Sequence, residues 1–197
     1  MKEINRFFVK VFFLTLLAFS ANAENKFLEI GDSNAKIVIK VFSSLTCPHC
    51  ANFHEKIYKD LKKEFIDKGV VRFEHHSFPL DLAALNAEII VRCQKDNDNR
   101  FQLLGEIYKK QNQWAVGSDI KVINESIKKI AIDFGLSNNN MDICLKNENE
   151  QDQILNERIN AQKKYKIQST PTIFINEKKY KGQHEYKNFK KAIEKLL

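Results

Sequence analysis

Two cysteines separated by two residues give the sequence its clearest chemical signal. The segment Cys47-Pro48-His49-Cys50 closely follows residues 36–42, a run of β-branched and apolar residues that predicts a buried strand. Proline is favoured at the first position of a helix, so the pattern places Cys47 at the N-cap and Cys50 one turn further in. Unpaired backbone N–H groups and the positive end of the helix dipole then favour the thiolate of Cys47.

This arrangement predicts thiol–disulfide exchange. His49 adds a donor, and when protonated a cation, near the Cys47 sulfur, which stabilises the reduced state. In the oxidised protein a substrate thiolate would attack Cys47 and expel Cys50, and the second substrate thiolate would then release Cys47. Cys47 is therefore the expected nucleophile and leaving group, and Cys50 the resolving thiol.

Two structural readings of the same cysteines are weaker. In the first, the two cysteines form half of a zinc site, with His49 and His54 nearby. A closed zinc site needs two further ligands, but the remaining cysteines are single and far apart in the sequence. An inert structural disulfide is the other. A C-x-x-C that opens a helix within a β-α-β unit favours redox chemistry over both, and we expect no metal and no cofactor.

Residues 1–23 have the features of a secretory signal peptide. Lys2, Arg6 and Lys10 precede an uncharged apolar run at residues 11–21, and residues 21–23 offer a small-x-small cleavage pattern. The run is too short to span a bilayer comfortably, so cleavage is favoured over an uncleaved anchor. We therefore expect export to the periplasm, an oxidising compartment in which disulfides persist.

The composition is that of a folded globular protein. The chain has 197 residues, of which 43% are hydrophobic and 29% charged, and this excludes disordered and collagen-like classes. The formal net charge is +7. The lysines are scattered among acidic neighbours and form no basic stripe, so we expect a solvated surface and no nucleic-acid partner.

The predicted elements follow the order β-α-β, a helical block, and β-β-α. Phe53, Ile57, Leu61 and Phe65 recur every four residues and give the helix after Cys50 one apolar face. The remaining patterns predict a strand at residues 70–76, helices across residues 82–165, a hairpin at residues 172–182 and a closing helix at residues 186–196.

Thr170 and Pro171 stand directly before an apolar strand. Together with the C-x-x-C motif this resembles the thioredoxin superfamily, and more closely the DsbA family of periplasmic thiol oxidoreductases. The residues that carry the resemblance are 44–51, 78–80, 169–172 and the turn at Asn176. The resemblance implies an α/β fold, with a thioredoxin-like domain formed by residues 24–78 and 167–197 and an inserted all-helical domain at residues 79–166.

The resemblance also implies how substrates and partners are bound. A cis Thr170–Pro171 bond would lie beside Cys47, and the Thr170 backbone would pair with an extended substrate peptide. The implied partners are unfolded or reduced exported polypeptides and a membrane quinone-linked oxidoreductase that reoxidises the protein. The family's isomerases carry an N-terminal dimerisation domain, for which residues 24–35 are too short, so we expect a monomer.

Two positions depart from the best-known DsbA members. Val41 stands six residues before the first cysteine, where those members carry a buried Glu, and Thr170 replaces a Val. Both positions adjoin groups that tune the redox potential.

The leading hypothesis is an oxidase that donates the Cys47–Cys50 disulfide. The alternatives are an isomerase or reductase of the same fold and a secreted binding protein in which this bridge is only structural.

Cys93 and Cys144 lie in separate predicted helices of the helical block. Cys93 shares an apolar face with Leu82, Leu85 and Ile89. Two buried cysteines of one subdomain in an oxidising compartment are expected to pair, closing a loop of 51 residues. A second bridge of this kind resembles the one in DsbA-like proteins of some alphaproteobacteria. Two free, packed thiols are the alternative.

The other histidines carry weaker signals. His75 and His76 end a predicted strand, and we expect them at the surface or at the strand end. His54 lies one turn beyond Cys50 and could face the same surface, but its position alone gives little reason to make it catalytic.

Overall fold

A five-stranded mixed sheet forms the centre of the computed structural model, which describes residues 27–197. The predicted signal peptide lies outside the described residues. The strands are β1 (Leu28–Ile30), β2 (Ile37–Ser43), β3 (Val71–Ser77), β4 (Thr172–Ile175) and β5 (Lys178–Lys179). Their spatial order is β1-β3-β2-β4-β5.

Strand β2 occupies the middle of the sheet. It pairs in parallel with β3 and antiparallel with β4, while β1 and β5 form the two edges. The near-continuous apolar run of β2 fits this position, because a central strand covered on both faces has no solvent side. The edge strand β1 was not predicted, since its three residues are too few to show a periodic pattern.

The helix that carries the cysteines, α1, consists of four consecutive segments. These are α-helical Pro48–Phe53, π-helical His54–Tyr58, α-helical Lys59–Leu61 and π-helical Lys62–Ile66. A strict spacing of four residues would drift around a helix of 3.6 residues per turn. The wider π turns offset that drift, so the apolar side chains spaced at four stay buried in the core.

Six helices stand between β3 and β4, and a seventh closes the chain. They are α2 (Leu82–Cys93), α3 (Asn97–Lys109), α4 (Gln111–Trp114), α5 (Ile120–Ile132), α6 (Asn138–Leu145), α7 (Glu148–Tyr165) and α8 (Tyr186–Glu194). Side chains that accept hydrogen bonds from the first turn set five of the helix starts: Asp81, Asp96, Asp119, Ser137 and Asn147. This is the predicted thioredoxin fold with a helical insertion.

A disulfide joins two of the inserted helices. The Sγ atoms of Cys93 at the end of α2 and Cys144 in α6 are 2.11 Å apart. The bridge lies on the side where α2 packs against α6, in the same core as the buried side chain of Met141. Among residues 27–197, no helix combines the length and the apolarity needed to cross a bilayer.

Candidate active site

Cys47 occupies the N-cap of α1, with Pro48 as the first helical residue. Its backbone is extended, and its carbonyl oxygen accepts hydrogen bonds from the N–H groups of Cys50 (3.0 Å) and Ala51 (3.1 Å). Pro48 and His49 are exposed, Cys47 is 6% exposed and Cys50 is 1% exposed. The two cysteines are free thiols in this structure, with the first nearer the surface than the second.

The two sulfurs have opposite electrostatic environments. A hydrogen bond from the Cys50 thiol lowers the pKa of Cys47 to about 5, against the opposing effect of burial, and the Thr170 side chain and the backbone N–H groups of Cys50 and His49 add to the lowering. Burial raises the pKa of Cys50, and the charge of Cys47 raises it further. The arrangement therefore holds Cys47 as a thiolate and Cys50 as a thiol at neutral pH.

The loop before β4 lies against the Cys47 sulfur. The Thr170–Pro171 peptide bond is cis, and the Cys47 Sγ lies 3.3 Å from the carbonyl oxygen of Thr170. The Thr172 hydroxyl donates to the Ser169 carbonyl at 2.7 Å, which fixes the shape of this loop. The two predicted substrate-binding residues are thus brought beside the predicted nucleophile.

His49 acts on the sulfur through its backbone. The backbone N–H of His49 contributes to the low pKa of Cys47, while the imidazole is exposed. The sequence predicted a stabilising role for the ring. In the structure, residue 49 helps to lower the pKa of Cys47 through its backbone N–H group. Any residue other than proline would supply that group.

Side chains ahead of the cysteines tie the active-site loop to the start of α2. The Thr46 hydroxyl donates to Asp81 at 2.7 Å, and the backbone N–H of Leu80 donates to the Ser44 hydroxyl at 3.3 Å. Asp81 also accepts from the Ala84 N–H at 2.8 Å as the N-cap of α2. The loop is therefore held by the same residue that starts the first inserted helix.

Gln111 is a site residue that the sequence did not reveal. Its side-chain amide donates to the carbonyl oxygens of Leu45 at 2.7 Å and of Cys47 at 3.1 Å. A lone glutamine 64 residues away from Cys47 gives no local pattern that could have predicted the contact. The bonds fasten the inserted helices directly to the active-site loop.

His75 lies near the end of β3, as expected, but it is buried against a carboxylate, so the expected surface position was wrong. It is 3% exposed, and its Nε2 lies 3.2 Å from Glu88 of α2. Burial acts to raise the pKa of Glu88, but the neighbouring His75 and Arg92 lower it to about 2. His75 pairs across the sheet with Val41, so a buried histidine in contact with Glu88 adjoins the position where the best-known DsbA members carry Glu.

Metal binding finds no support among the described residues. Within residues 27–197 no group of three or more His, Cys, Asp and Glu side chains is arranged to hold an ion. Cys93 and Cys144, the only further cysteines, are bonded to each other and cannot complete a site with Cys47 and Cys50.

Known proteins similar to this chain carry names that refer to disulfide chemistry. Disulfide bond formation protein D of Bacillus subtilis is 29% identical over 177 residues, covering 85% of this chain and 76% of that protein. A relative from Rickettsia typhi that carries the name protein-disulfide oxidoreductase is 24% identical over 174 residues. The match covers 88% of this chain and 63% of the relative, so the chain spans less than two thirds of that protein's length.

Solved structures show the same fold. Wolbachia pipientis alpha-DsbA1 matches with a TM-score of 0.79 at 26% identity, covering 86% of this chain and 90% of that chain. Oxidised BdbD from Bacillus subtilis matches with a TM-score of 0.76 at 24% identity, covering 86% and 92%. The family model described as Thioredoxin matches residues 23–195. The chain therefore belongs to the thioredoxin family, and within it is similar to the DsbA-type proteins.

Proposed function

We propose that the protein is a dithiol–disulfide oxidoreductase that works as an oxidase, donating its Cys47–Cys50 disulfide to exported polypeptides. The observation that carries this is the position of Cys47 at the N-cap of α1, beside the buried Cys50. Hydrogen bonds there lower the pKa of Cys47 to about 5, while burial raises the pKa of Cys50. A stabilised thiolate favours the reduced protein, and a protein that is stable when reduced is a strong oxidant when oxidised.

The geometry supports a two-step exchange. A substrate thiolate attacks the Cys47 sulfur, the Cys47–Cys50 bond breaks, and Cys50 leaves with the electron pair and gains a proton. The second substrate thiolate then attacks its own bridged sulfur and releases the Cys47 thiolate, which needs no proton above its pKa. Two electrons pass from the substrate dithiol to the protein, and the substrate keeps the disulfide.

The loop at Thr170 and Pro171 is proposed to hold the substrate. The Thr170 carbonyl already contacts the Cys47 sulfur, so a peptide that paired with the Thr170 backbone would lie across the reacting atom. Main-chain recognition tolerates many sequences, as a donor of disulfides to varied polypeptides requires. We propose the periplasm as the compartment and a membrane quinone-linked oxidoreductase as the protein that restores the disulfide.

The reduction potential of the Cys47–Cys50 pair, measured in glutathione buffers, tests the oxidase role. A value near that of the strong oxidant DsbA, about −120 mV, supports it. A value near that of thioredoxin, about −270 mV, would make the protein a reductase. Oxidation of a reduced, unfolded ribonuclease supplies the activity readout, with recovery of scrambled ribonuclease as the isomerase control.

Two variants separate the enzyme from a binding protein with a structural bridge. Cys47→Ser should abolish oxidation, because it removes the sulfur that forms the mixed disulfide. Cys50→Ser should accumulate mixed disulfides at Cys47 when it is mixed with disulfide-containing polypeptides, because the Cys47 thiolate attacks their disulfides and Cys50 is no longer there to attack the Cys47 sulfur and release them. Full biological activity in a strain that carries Cys47→Ser would contradict the enzymatic role.

A further inference from the structure

Asp81 holds two different parts of the chain with its two carboxylate oxygens. One oxygen, Oδ1, accepts from the Ala84 N–H at 2.8 Å and so starts α2. The other, Oδ2, accepts from the Thr46 hydroxyl at 2.7 Å. Because Thr46 directly precedes Cys47, a single side chain fixes both the first inserted helix and the residue next to the nucleophile.

The second bond distinguishes Asp81 from the other helix caps of the insertion. Among the hydrogen bonds of residues 27–197, the side chains that cap α3, α5, α6 and α7 accept only from N–H groups of their own first turn. A helix cap needs no more than that. Capping alone therefore explains the bond to Oδ1 of Asp81, but it does not explain the bond from Thr46 to Oδ2.

The Thr46 hydroxyl belongs to a chain of hydrogen bonds that runs in one direction. A hydroxyl group carries one proton, and Thr46 gives its proton to Asp81. The Ser44 hydroxyl, 3.2 Å away, must therefore donate to Thr46, and it accepts from the Leu80 N–H at 3.3 Å. Hydrogen bonds aligned in this way strengthen one another, and the last acceptor of this chain is a carboxylate.

The same chain holds the backbone of the nucleophile. Ser44 is 1% exposed, and its carbonyl oxygen accepts from the Cys47 N–H at 3.1 Å. Ser44 and Thr46 thus fix the turn that leads into α1. With this turn in place, Cys47 has the extended backbone of an N-cap (φ −81°, ψ 118°), and its sulfur lies 3.3 Å from the carbonyl oxygen of Thr170.

We propose that Asp81 is a positioning residue for the exchange reaction. It acts through the hydroxyl groups of Thr46 and Ser44, which keep the Cys47 backbone at the N-cap. There the free N–H groups of the first helical turn and the positive end of the helix dipole act on the sulfur. Both effects fall off within the first turn, so a looser turn before α1 would weaken them.

The charge of Asp81 by itself acts in the opposite direction. A carboxylate near a thiolate disfavours the charged sulfur, so removal of that charge alone would lower the pKa of Cys47. Loss of the positioning bond would raise the pKa, because the sulfur would lose part of its contact with the start of the helix. The direction of the change therefore separates the two effects.

Alkylation of the reduced protein by iodoacetamide, measured from acid to mildly alkaline pH, tests the proposal. The rate follows the thiolate fraction of Cys47, since the thiolate is the reactive form and the buried Cys50 stays protonated. The charge of His49 contributes equally, because this residue is the same in every variant. The proposal rests on Cys47 as the reacting thiol of the proposed function, but a reduction potential that contradicts the oxidase role leaves this measurement intact.

Thr46→Val keeps the shape of the side chain and removes its hydroxyl. The midpoint of the pH–rate profile should rise by about half a pH unit, which lowers the rate about threefold below the midpoint and corresponds to part of the free energy of one hydrogen bond. Thr46→Ser restores the hydroxyl and should return the midpoint close to the wild-type value. Ser137→Ala is the matched control for stability, since it removes the cap of α6 and should leave the midpoint unchanged.

Asp81→Ala completes a double-mutant cycle with Thr46→Val. Loss of the charge and loss of the α2 cap contribute equally in the wild-type and Thr46→Val backgrounds, so the difference between the backgrounds measures the bond between the two side chains. We expect Asp81→Ala to raise the midpoint by about half a pH unit more in the wild type than in Thr46→Val.

Three results would overturn the proposal. One is a wild-type midpoint in Thr46→Val. The second is an equal effect of Asp81→Ala in the two backgrounds, since Asp81 would then act only through its charge or its helix cap. The third is an equal rise in Ser137→Ala, which would mark a general effect of lower stability. If Asp81→Ala does not fold, the comparison of Thr46→Val with Thr46→Ser decides the question.

Discussion

The side-chain amide of Gln111 lies 3.1 Å from the carbonyl oxygen of Cys47 and 2.7 Å from that of Leu45. A residue from the inserted helices thus supplies hydrogen-bond donors to the backbone that carries the nucleophile. The insertion is therefore part of the active-site framework as well as a cover for the sheet. This contact can be removed without changing either cysteine.

Gln111→Ala should lower the free energy of unfolding by about 1–3 kcal/mol, because two carbonyl groups lose a donor at about 1 kcal/mol each. Urea unfolding of the wild type and the variant measures the difference. Gln113→Ala is the matched control, since Gln113 lies in the same short helix but is exposed. An equal loss in the two variants would show that the bonds to Leu45 and Cys47 contribute nothing of their own.

The pH dependence of the reduction potential should report the low pKa of Cys47 and show that Cys50 stays protonated at neutral pH. Above pH 5, reduction adds two electrons and one proton, because Cys47 remains a thiolate and Cys50 is protonated. Each proton of a two-electron couple contributes about 30 mV per pH unit. The potential should therefore change by about 30 mV per unit at neutral pH and by about 59 mV per unit below pH 5, where both thiols are protonated.

The low pKa of Cys47 also determines how the stability of the reduced protein changes with pH. A folded-state pKa of about 5 lies below the unfolded value of about 8.5, so the stabilisation of reduced protein is fully present above pH 8.5 and is lost as the pH falls towards 5. The oxidised protein has no titrating Cys47 and serves as the control. A gap in stability between the two forms that stays constant over this range would contradict a low Cys47 pKa.

The sequence predicted the parts of the site that depend on local structure. Pro48 at the first helical position put Cys47 at the N-cap, and that relation needs only neighbouring residues. Gln111 and the His75–Glu88 pair depend on contacts between distant elements, and polar side chains in such contacts look like surface residues in a single sequence. The fold class followed from the motif and the order of elements, while β1 was too short to leave a pattern.

The Cys93–Cys144 bridge should stabilise the fold independently of the active site. Its loop of 51 residues corresponds to about 4 kcal/mol in the chain-entropy treatment of disulfides. The double variant Cys93→Ala/Cys144→Ala should lose roughly this much in urea unfolding, with both proteins compared under one redox state of Cys47 and Cys50. The thiols can be counted in denatured wild-type protein in which Cys47 and Cys50 are reduced and no further reductant is added. Four free thiols would show that the Cys93–Cys144 bridge does not form.

The buried network around Arg92 should give the protein a distinct acid sensitivity. Arg92 pairs with Glu88 at 3.1 Å and with Glu157 at 2.6 Å. Glu88 also lies 3.2 Å from Nε2 of His75. The folded pKa of Glu88, about 2, lies below its unfolded value of about 4.3, so its contribution of about 3 kcal/mol is present above pH 4.3 and is lost as the pH falls towards 2.

Glu88→Gln tests this directly, because it keeps the shape of the side chain and removes its charge. The variant should be less stable than the wild type at neutral pH by about 3 kcal/mol, and the difference should shrink as the pH falls through the range between the two pKa values. Glu125→Gln is the control, since Glu125 pairs with Lys128 but is 62% exposed. A pH-independent deficit in Glu88→Gln would mean that packing, and not the charge of Glu88, stabilises this junction between β3 and the inserted helices.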